Sequence, residues 1–252
     1  MVTTAVVTGA SSGIGRASVA ALAASGWQVL GAARRADRLA ELAAETGCAT
    51  AVCDVTSAGD VEALAQQAAD LFGGTLDAIV NIAGGAFGVD PVEKADLEGW
   101  RRMYDLNVLG TTRVTQALLP LVRANGSGSV VLLTSTAAQA AYTGGAGYNA
   151  AKAGEHMVAQ ALRLELLGEP IRVIEIAPGM VHTEEFSLVR LGGDKAAADA
   201  VYEGVSHPLS AGDVADVVAY SLNLPAHVNL DLVTIRPVAQ ASNYHVARGA
   251  GL

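Results

Sequence analysis

The chain has 252 residues, 51% of them hydrophobic and 4% aromatic, with a formal charge of −9. That length and apolar content suit one domain over residues 1–252 with a full core, and so few aromatics favour helices packed closely on a sheet over an aromatic-rich β-sandwich. The acidity, with no basic run longer than Arg34-Arg35 or Arg101-Arg102, argues against nucleic acid as a partner.

Cys48 and Cys53 bound one short apolar run. A strand there would hold them too far apart to bridge, and no neighbouring residues complete a metal site. The first strand is expected almost at Met1, which leaves no room for a signal peptide. The longest uncharged run, 124–151, is interrupted by Gly, Ser, Asn, Thr and Gln, so it predicts no membrane span. The expectation is a cytoplasmic protein.

The predicted elements alternate. Strand 4–8 (TAVVT) is short, β-branched and apolar; a glycine-rich turn and an Ala-rich helix to about residue 25 follow. Next come strand 27–33, helix 36–45, strand 49–53, helix 58–72 and strand 76–81. A loop containing Pro91 leads to one long helix, 97–123, with Pro120 late in it as a place for a kink. Strand 129–134 and helix 148–167 follow, the helix stopped by Gly168 and Pro170. Strand 171–177 leads into a less regular region to about residue 207. Helix 211–223, strand 230–236 and a tail with little pattern, 237–252, complete the chain. Strands that are apolar throughout and alternate with helices predict an α/β fold: a seven-stranded parallel sheet with helices on both faces.

A ligand edge follows from that order. Gly9, Gly13 and Gly15 sit between the first strand and the first helix, where glycine permits a tight turn and close approach of backbone to a pyrophosphate. Ser11, Ser12 and Ile14 share that turn as candidate cofactor contacts. The spacing GxxxGxG departs from the common GxGxxG, so the position after a strand carries the argument. At the end of the second strand, where an NAD site usually places a carboxylate, the chain reads Ala32-Ala33-Arg34-Arg35. A guanidinium there suits the 2′-phosphate of NADP(H) over NAD(H), with Arg34 the main contact and Arg35 beside it. Asp54 and Val55 follow the third strand; Asp54 is either an adenine-edge contact or a turn residue. Asn81, Ala83 and Gly84 follow the fourth strand on the same edge.

Ser135 directly follows the fifth strand, and Tyr148 and Lys152 lie four apart at the start of the next helix, on one face. A phenol ordinarily titrates near pH 10. An ammonium about 4 Å away would favour the phenolate by roughly 4 kcal/mol at an effective dielectric near 20, on the order of three pKa units. Asn107 is a poor residue for a helix interior. It is either a satisfied polar core residue or the holder of a water or carbonyl that continues a proton path from Lys152.

Together TGASSGIG, NIAG, LNVLGT, Ser135 with YNAAK, and the PG of APGMVHT resemble the compact branch of the short-chain dehydrogenase/reductases. The resemblance covers nearly the whole chain and implies a Rossmann-like three-layer sandwich. It implies Asn107, Ser135, Tyr148 and Lys152 as catalytic tetrad: Tyr148 as general acid/base, Ser135 on the substrate oxygen, Lys152 on the tyrosine and the nicotinamide ribose, Asn107 ordering a relay water. It also implies that Pro178, Gly179, Met180 and Val181 lie over the nicotinamide, with Thr183 near its carboxamide. Ile82 departs from the family's usual NNAG, and the expectation is local repacking.

A narrower likeness lies in HTEEFSLVR, LPAHVNL and RPVAQ, which resemble the NADP-dependent 3-hydroxy acid and serine dehydrogenase subgroup. That implies a small polar alcohol or carbonyl substrate. Gln139, Tyr142 and Gly145 would border its pocket with Ser135, Tyr148 and Gly179, and residues 182–207 would form a substrate loop. Arg190 either pairs a substrate carboxylate or is a surface residue. The Ala- and Gly-rich wall of Ala137, Ala138, Gly144 and Gly145 leaves open a ketoreductase for a bulkier carbonyl. A silent coenzyme-binding sensor would usually lack the tyrosine or the lysine. The family also implies a homotetramer, or a homodimer, built on the helices near residues 97 and 148, with the tail reaching a neighbouring subunit.

Overall fold

The structure is a computed structural model that describes residues 2–249; residues 250–252, the end of the predicted tail, lie outside the described residues. Strands β1 (Thr4–Thr8), β2 (Gln28–Ala33), β3 (Ala49–Val52) and β4 (Ala78–Asn81) alternate with helices α1 (Gly13–Ala24), α2 (Ala36–Thr46) and α3 (Ala58–Phe72). The second half holds α4 (Leu97–Tyr104), a π-helical turn (Asp105–Leu109), α5 (Gly110–Ala124), β5 (Gly128–Leu133), α6 (Ala146–Glu165) and β6 (Ile171–Pro178). Then come β7 (Val181–His182), α7 (Phe186–Arg190), α8 (Lys195–Ala200), β8 (Leu209–Ser210), α9 (Ala211–Leu222) and β9 (Leu232–Ile235).

The seven strands of the main sheet run parallel in the order β3-β2-β1-β4-β5-β6-β9. The chain builds outward in one direction from β1 and then, starting at β4, in the other. The strand order therefore reverses between β1 and β4, and the crevice at their C-terminal ends is where such sheets bind ligands.

Alternation along each strand divides the core in two. Val6, Ile79, Val130 and Leu132 face α3, α5 and α6, packing on Leu64, Leu118 and Leu162. Ala5, Val7, Val80, Val131 and Leu133 face α1, α2 and α9, packing on Leu22, Leu42 and Val218. Both faces are covered, which is why the strands read as continuous apolar runs.

Two segments differ from the sequence expectation. The predicted long helix is interrupted by the π turn, with Asn107 at its centre. The Asn107 side-chain amide donates to the Met103 carbonyl at 2.7 Å, one turn back, and competes there with the helix backbone. The predicted loop 182–207 contains α7 and α8, and the separate β7–β8 pair closes its two ends. Among the described residues no helix is long and apolar enough to cross a membrane.

Candidate active site

The glycine turn is shaped by close approach. Gly9 has φ +72°, and a Cβ on it would stand 3.0 Å from the Ala83 nitrogen. The Thr8 hydroxyl accepts from the backbone N–H groups of Ile82 (3.0 Å) and Ala83 (3.1 Å), pinning the exits of β1 and β4 together. With its backbone held there, Ile82 turns its side chain into the core under α1, α2 and α9, which is the repacking expected of the NIAG departure. A Cβ on Gly15 would overlap the Gly9 carbonyl. Gly13, at φ +49°, is different: a Cβ there would project into the gap between the α1 N-terminus and Thr183, whose nearest atom is 3.5 Å away. Ser12 stands at the N-cap without capping, so no side chain of its own satisfies the first N–H groups of α1. Uncapped N–H groups at the positive end of a helix dipole, facing a glycine-sized gap, form an anion cradle.

The cation pair at the end of β2 is split. Arg34 is exposed and makes no hydrogen bond or ion pair with the described residues. Arg35 is engaged: its guanidinium meets both Glu185 oxygens, at 2.5 and 2.9 Å, and the Ser11 hydroxyl at 3.0 Å. Ser12 donates to the same Glu185 carboxylate at 3.0 Å. The Arg35 hydrogen bond holds the Glu185 carboxyl below the usual range, against the opposing effect of burial.

The Asp54 carboxylate serves the turn through its Oδ1, which accepts from the backbone N–H and hydroxyl of Thr56 at 2.9 and 2.7 Å. Val55 is buried. Asn81 is buried, its amide donating to Thr115 at 3.1 Å while its Oδ1 has no partner. Gly84 must be glycine because a Cβ would stand 2.6 Å from the Asn107 Oδ1.

Tyr148 lies in the first turn of α6, which begins two residues earlier than the sequence suggested. Its side chain is almost buried, the ring meeting Phe186 edge-on at 5.6 Å, and its hydroxyl makes no hydrogen bond with the described residues. The Lys152 ammonium is 6.0 Å from the centre of that ring. It donates to the Leu133 carbonyl at 2.8 Å and to Glu155 at 2.6 Å. Burial alone would push the Lys152 ammonium down; the Glu155 carboxylate and the Tyr148 oxygen more than offset this, and it sits above its ordinary range. Lys152 is thus half of a buried ion pair and not the isolated positive charge that the sequence suggests. Ser135 lies two residues past the end of β5, its hydroxyl donating to the Pro178 carbonyl at 3.4 Å and accepting from the Ala137 N–H at 3.1 Å. Asn107 closes on backbone, accepting from the Gly85 N–H at 3.1 Å and donating to the Gly85 carbonyl at 2.9 Å. Its side chain bonds carbonyls and makes no direct bond to Lys152.

On the substrate side, a cavity lined by Phe87, Asp90, Trp100, Met103, Gly145 and Tyr148 opens beside the phenol. Arg190 stands behind its Gly144 wall: the guanidinium donates to the Tyr142 hydroxyl (2.8 Å) and the Gly144 carbonyl (3.1 Å), and lies 5.8 Å from the Tyr148 ring. Gln139 is not part of it; its exposed amide donates to Thr234 at 2.8 Å, on β9. Gly144 and Gly145 leave no open wall. A Cβ on Gly144 would press on the Val89 carbonyl, and one on Gly145 would overlap the Tyr142 ring.

A family model described as short chain dehydrogenase matches residues 3–191, most of the chain. The chain belongs to the short-chain dehydrogenase family. An uncharacterized oxidoreductase of Mycobacterium tuberculosis is 54% identical to this dehydrogenase over 238 residues, covering 94% of this chain and 92% of that one. Sulfoacetaldehyde reductase 2 of Chromohalobacter salexigens is 41% identical over 240 residues, covering 93% and 94%. Among solved structures, the closed form of a serine dehydrogenase complexed with NADP+ superposes with a TM-score of 0.89 at 34% identity, covering 94% of this chain and 96% of that chain.

Four residues of this short-chain dehydrogenase shape the site without having been singled out in the sequence. Glu155 pairs Lys152, and Glu185 pairs Arg35. Asn149 donates to the Ala137 carbonyl at 2.7 Å and fastens the loop between Ser135 and Tyr148. Gln240, from the tail, accepts from the Met180 N–H at 2.7 Å and sits where a Cβ on Gly179 would be. Only Glu155 carried a signal, its i+3 spacing from Lys152 on a helix; the other three meet partners far away in sequence.

Proposed function

We propose that this dehydrogenase uses NADP(H) to interconvert an alcohol and a carbonyl on a small polar substrate, such as a 3-hydroxy acid or a semialdehyde, with Tyr148 as general acid and base. The observation that carries the reading is the unbonded hydroxyl of a nearly buried Tyr148, beside a buried ammonium and on the sheet edge that also holds the glycine cradle. The cradle residues fit a dinucleotide: a glycine-sized gap at an uncapped helix N-terminus, the orphaned Asn81 Oδ1 at the strand-reversal crevice, and an unpartnered Arg34. Gly9, Ser11, Ser12, Gly13, Ile14 and Gly15 would hold its diphosphate, and Arg34 its 2′-phosphate. Pro178, Gly179, Val181 and Thr183 would border its nicotinamide.

When bound, the coenzyme supplies or accepts the hydride. Ser135 hydrogen-bonds the substrate oxygen. In reduction Tyr148 protonates that oxygen as negative charge develops on it; in oxidation Tyr148 takes the proton back. Lys152 favours the charged form of the phenol. Arg190 presents its guanidinium to the cavity wall 5.8 Å from the Tyr148 ring, which suits a substrate bearing a carboxylate or sulfonate. Both named relatives, a sulfoacetaldehyde reductase and a serine dehydrogenase, carry names of small molecules with such a group. Gly144 and Gly145, backed by Val89 and Tyr142, add no room of their own for a bulkier ketone.

The test is turnover of NADPH with a panel of small semialdehydes, and of NADP+ with 3-hydroxy acids. Tyr148→Phe is expected to lower kcat on the order of 10³-fold while NADPH binding stays within a few-fold. Wild-type turnover by that variant would overturn the assignment.

A further inference from the structure

Lys152 and Glu155 form an ion pair sealed from water, with side chains 5% and 1% exposed and Nζ 2.6 Å from the carboxylate. The second Glu155 oxygen accepts from the Thr111 hydroxyl of α5 at 3.2 Å. The carboxylate is therefore fixed between two helices, one turn beyond the lysine and on the side away from the sheet edge. Around Lys152 stand Tyr148 and Glu155 from α6, Glu175 from β6 and Asn107 from the π turn. Glu175 is already committed, accepting from Thr134 at 2.6 Å and meeting His156 at 2.8 Å. Of the charged groups, Glu155 alone bonds the ammonium directly, beside the Leu133 carbonyl; Tyr148 itself also faces Arg190 of α7, 5.8 Å from its ring, and the phenol of Tyr142.

We infer, resting on the reading of Tyr148 as the acid and base, that Glu155 is a positioning residue that sets the working proton range of Tyr148 by holding Lys152 and cancelling part of its field. A lone ammonium projects the field of a full charge onto the phenol. An ammonium bonded to a carboxylate projects that of a dipole, which falls off faster. Glu155 thereby moderates the charge that the phenol meets. A phenol made too acidic is a poor proton donor, so moderation serves the reductive direction, in which Tyr148 must hold a proton near neutral pH and release it on demand.

The test uses the chain saturated with NADP+ and needs no substrate. The phenolate difference absorbance between the protein and its Tyr148→Phe variant is titrated against pH, which isolates Tyr148 from the other tyrosines. The same titration is made in a Glu155→Gln background, which keeps the side-chain shape and removes the charge. It is repeated in Glu155→Asp, which draws the carboxylate back by one methylene. The Tyr148 midpoint is expected to fall by about one pH unit in Glu155→Gln, and by a smaller step in the same direction in Glu155→Asp. Should the glutamine variant not fold, the aspartate variant carries the test alone. A residue that only filled space would leave the midpoint where it is. An unmoved or raised midpoint in a folded variant overturns the inference and leaves the proposed function standing. Absence of any Tyr148 titration below the ordinary tyrosine range in the parent protein overturns the reading on which the inference rests, and the inference with it.

Discussion

Arg34 and Arg35 are adjacent in sequence and opposite in condition. Arg35 has its fork filled by Glu185, whereas Arg34 has no partner among the described residues. A phosphate approaching the end of β2 therefore finds one cation ready and one that must first give up a carboxylate. Arg34→Ala is expected to lower kcat/KM for NADPH by about 10–100-fold, the cost of one charge-assisted hydrogen bond, while NADH changes only a few-fold. Steady-state kinetics with both coenzymes measure it, and an equal loss for the two would remove Arg34 from the 2′-phosphate. At this scale the sequence was most legible where the backbone itself demands a residue type. Gly9 and Gly15 were readable because only glycine fits a positive φ or a carbonyl at contact distance. Asp54 is ambiguous in the sequence because a short carboxylate after a strand serves a turn as readily as a ligand, and the Thr56 bonds that engage its Oδ1 are not written in its type.

Strands and most helices were legible from apolar runs and breakers, since burial on both faces leaves a parallel strand no polar position to confuse the pattern. The π turn was not. Its cause is a single amide seeking the Met103 carbonyl and the Gly85 backbone, and Gly85 lies in a loop that no periodicity connects to the helix. α7 was also missed, because five residues give too short a pattern. That short helix carries Phe186 to Tyr148 and Arg190 to Tyr142, and it is tied at its start by Glu185 to Arg35. The tie is pH-sensitive. Because the Arg35 hydrogen bond depresses Glu185 in the folded chain, its contribution is fully present above the ordinary glutamate pKa of about 4.3 and is lost as pH falls through the lower folded value. Both side chains are about a third exposed, so solvent screens the pair and the effect is modest. Glu185→Gln is expected to melt a few degrees or less below the parent at neutral pH, with the gap closing below about pH 4. Melting temperatures across that range check it, and a gap that stays constant would show that the charge pair contributes nothing.

For the whole molecule, the sheet order and its reversal point place residues from β1, β4, β5 and β6 around one crevice, although up to 170 residues separate them in sequence. What the molecule does with its outer faces is a separate matter. Tyr104, Leu109 and Met157 remain 48%, 40% and 53% exposed along α4, the π turn and α6, and an apolar groove including Trp100, Ala150 and Ala151 lies beside them. We propose that a homotetramer or homodimer covers this face; light scattering is expected to give a multiple of the 25.5 kDa chain mass, and a monomer at micromolar concentration would reject it. The tail has its own part in this. Residues 3–191 contain every family motif, yet the turn at Gly179 and Met180 is completed by Gln240, some sixty positions downstream. A shortened chain ending near residue 235 would keep the whole stretch that the family model matches and lose the latch behind the turn at Gly179 and Met180, so the last stretch of this protein is a poor place to trim or to graft a rigid fusion partner.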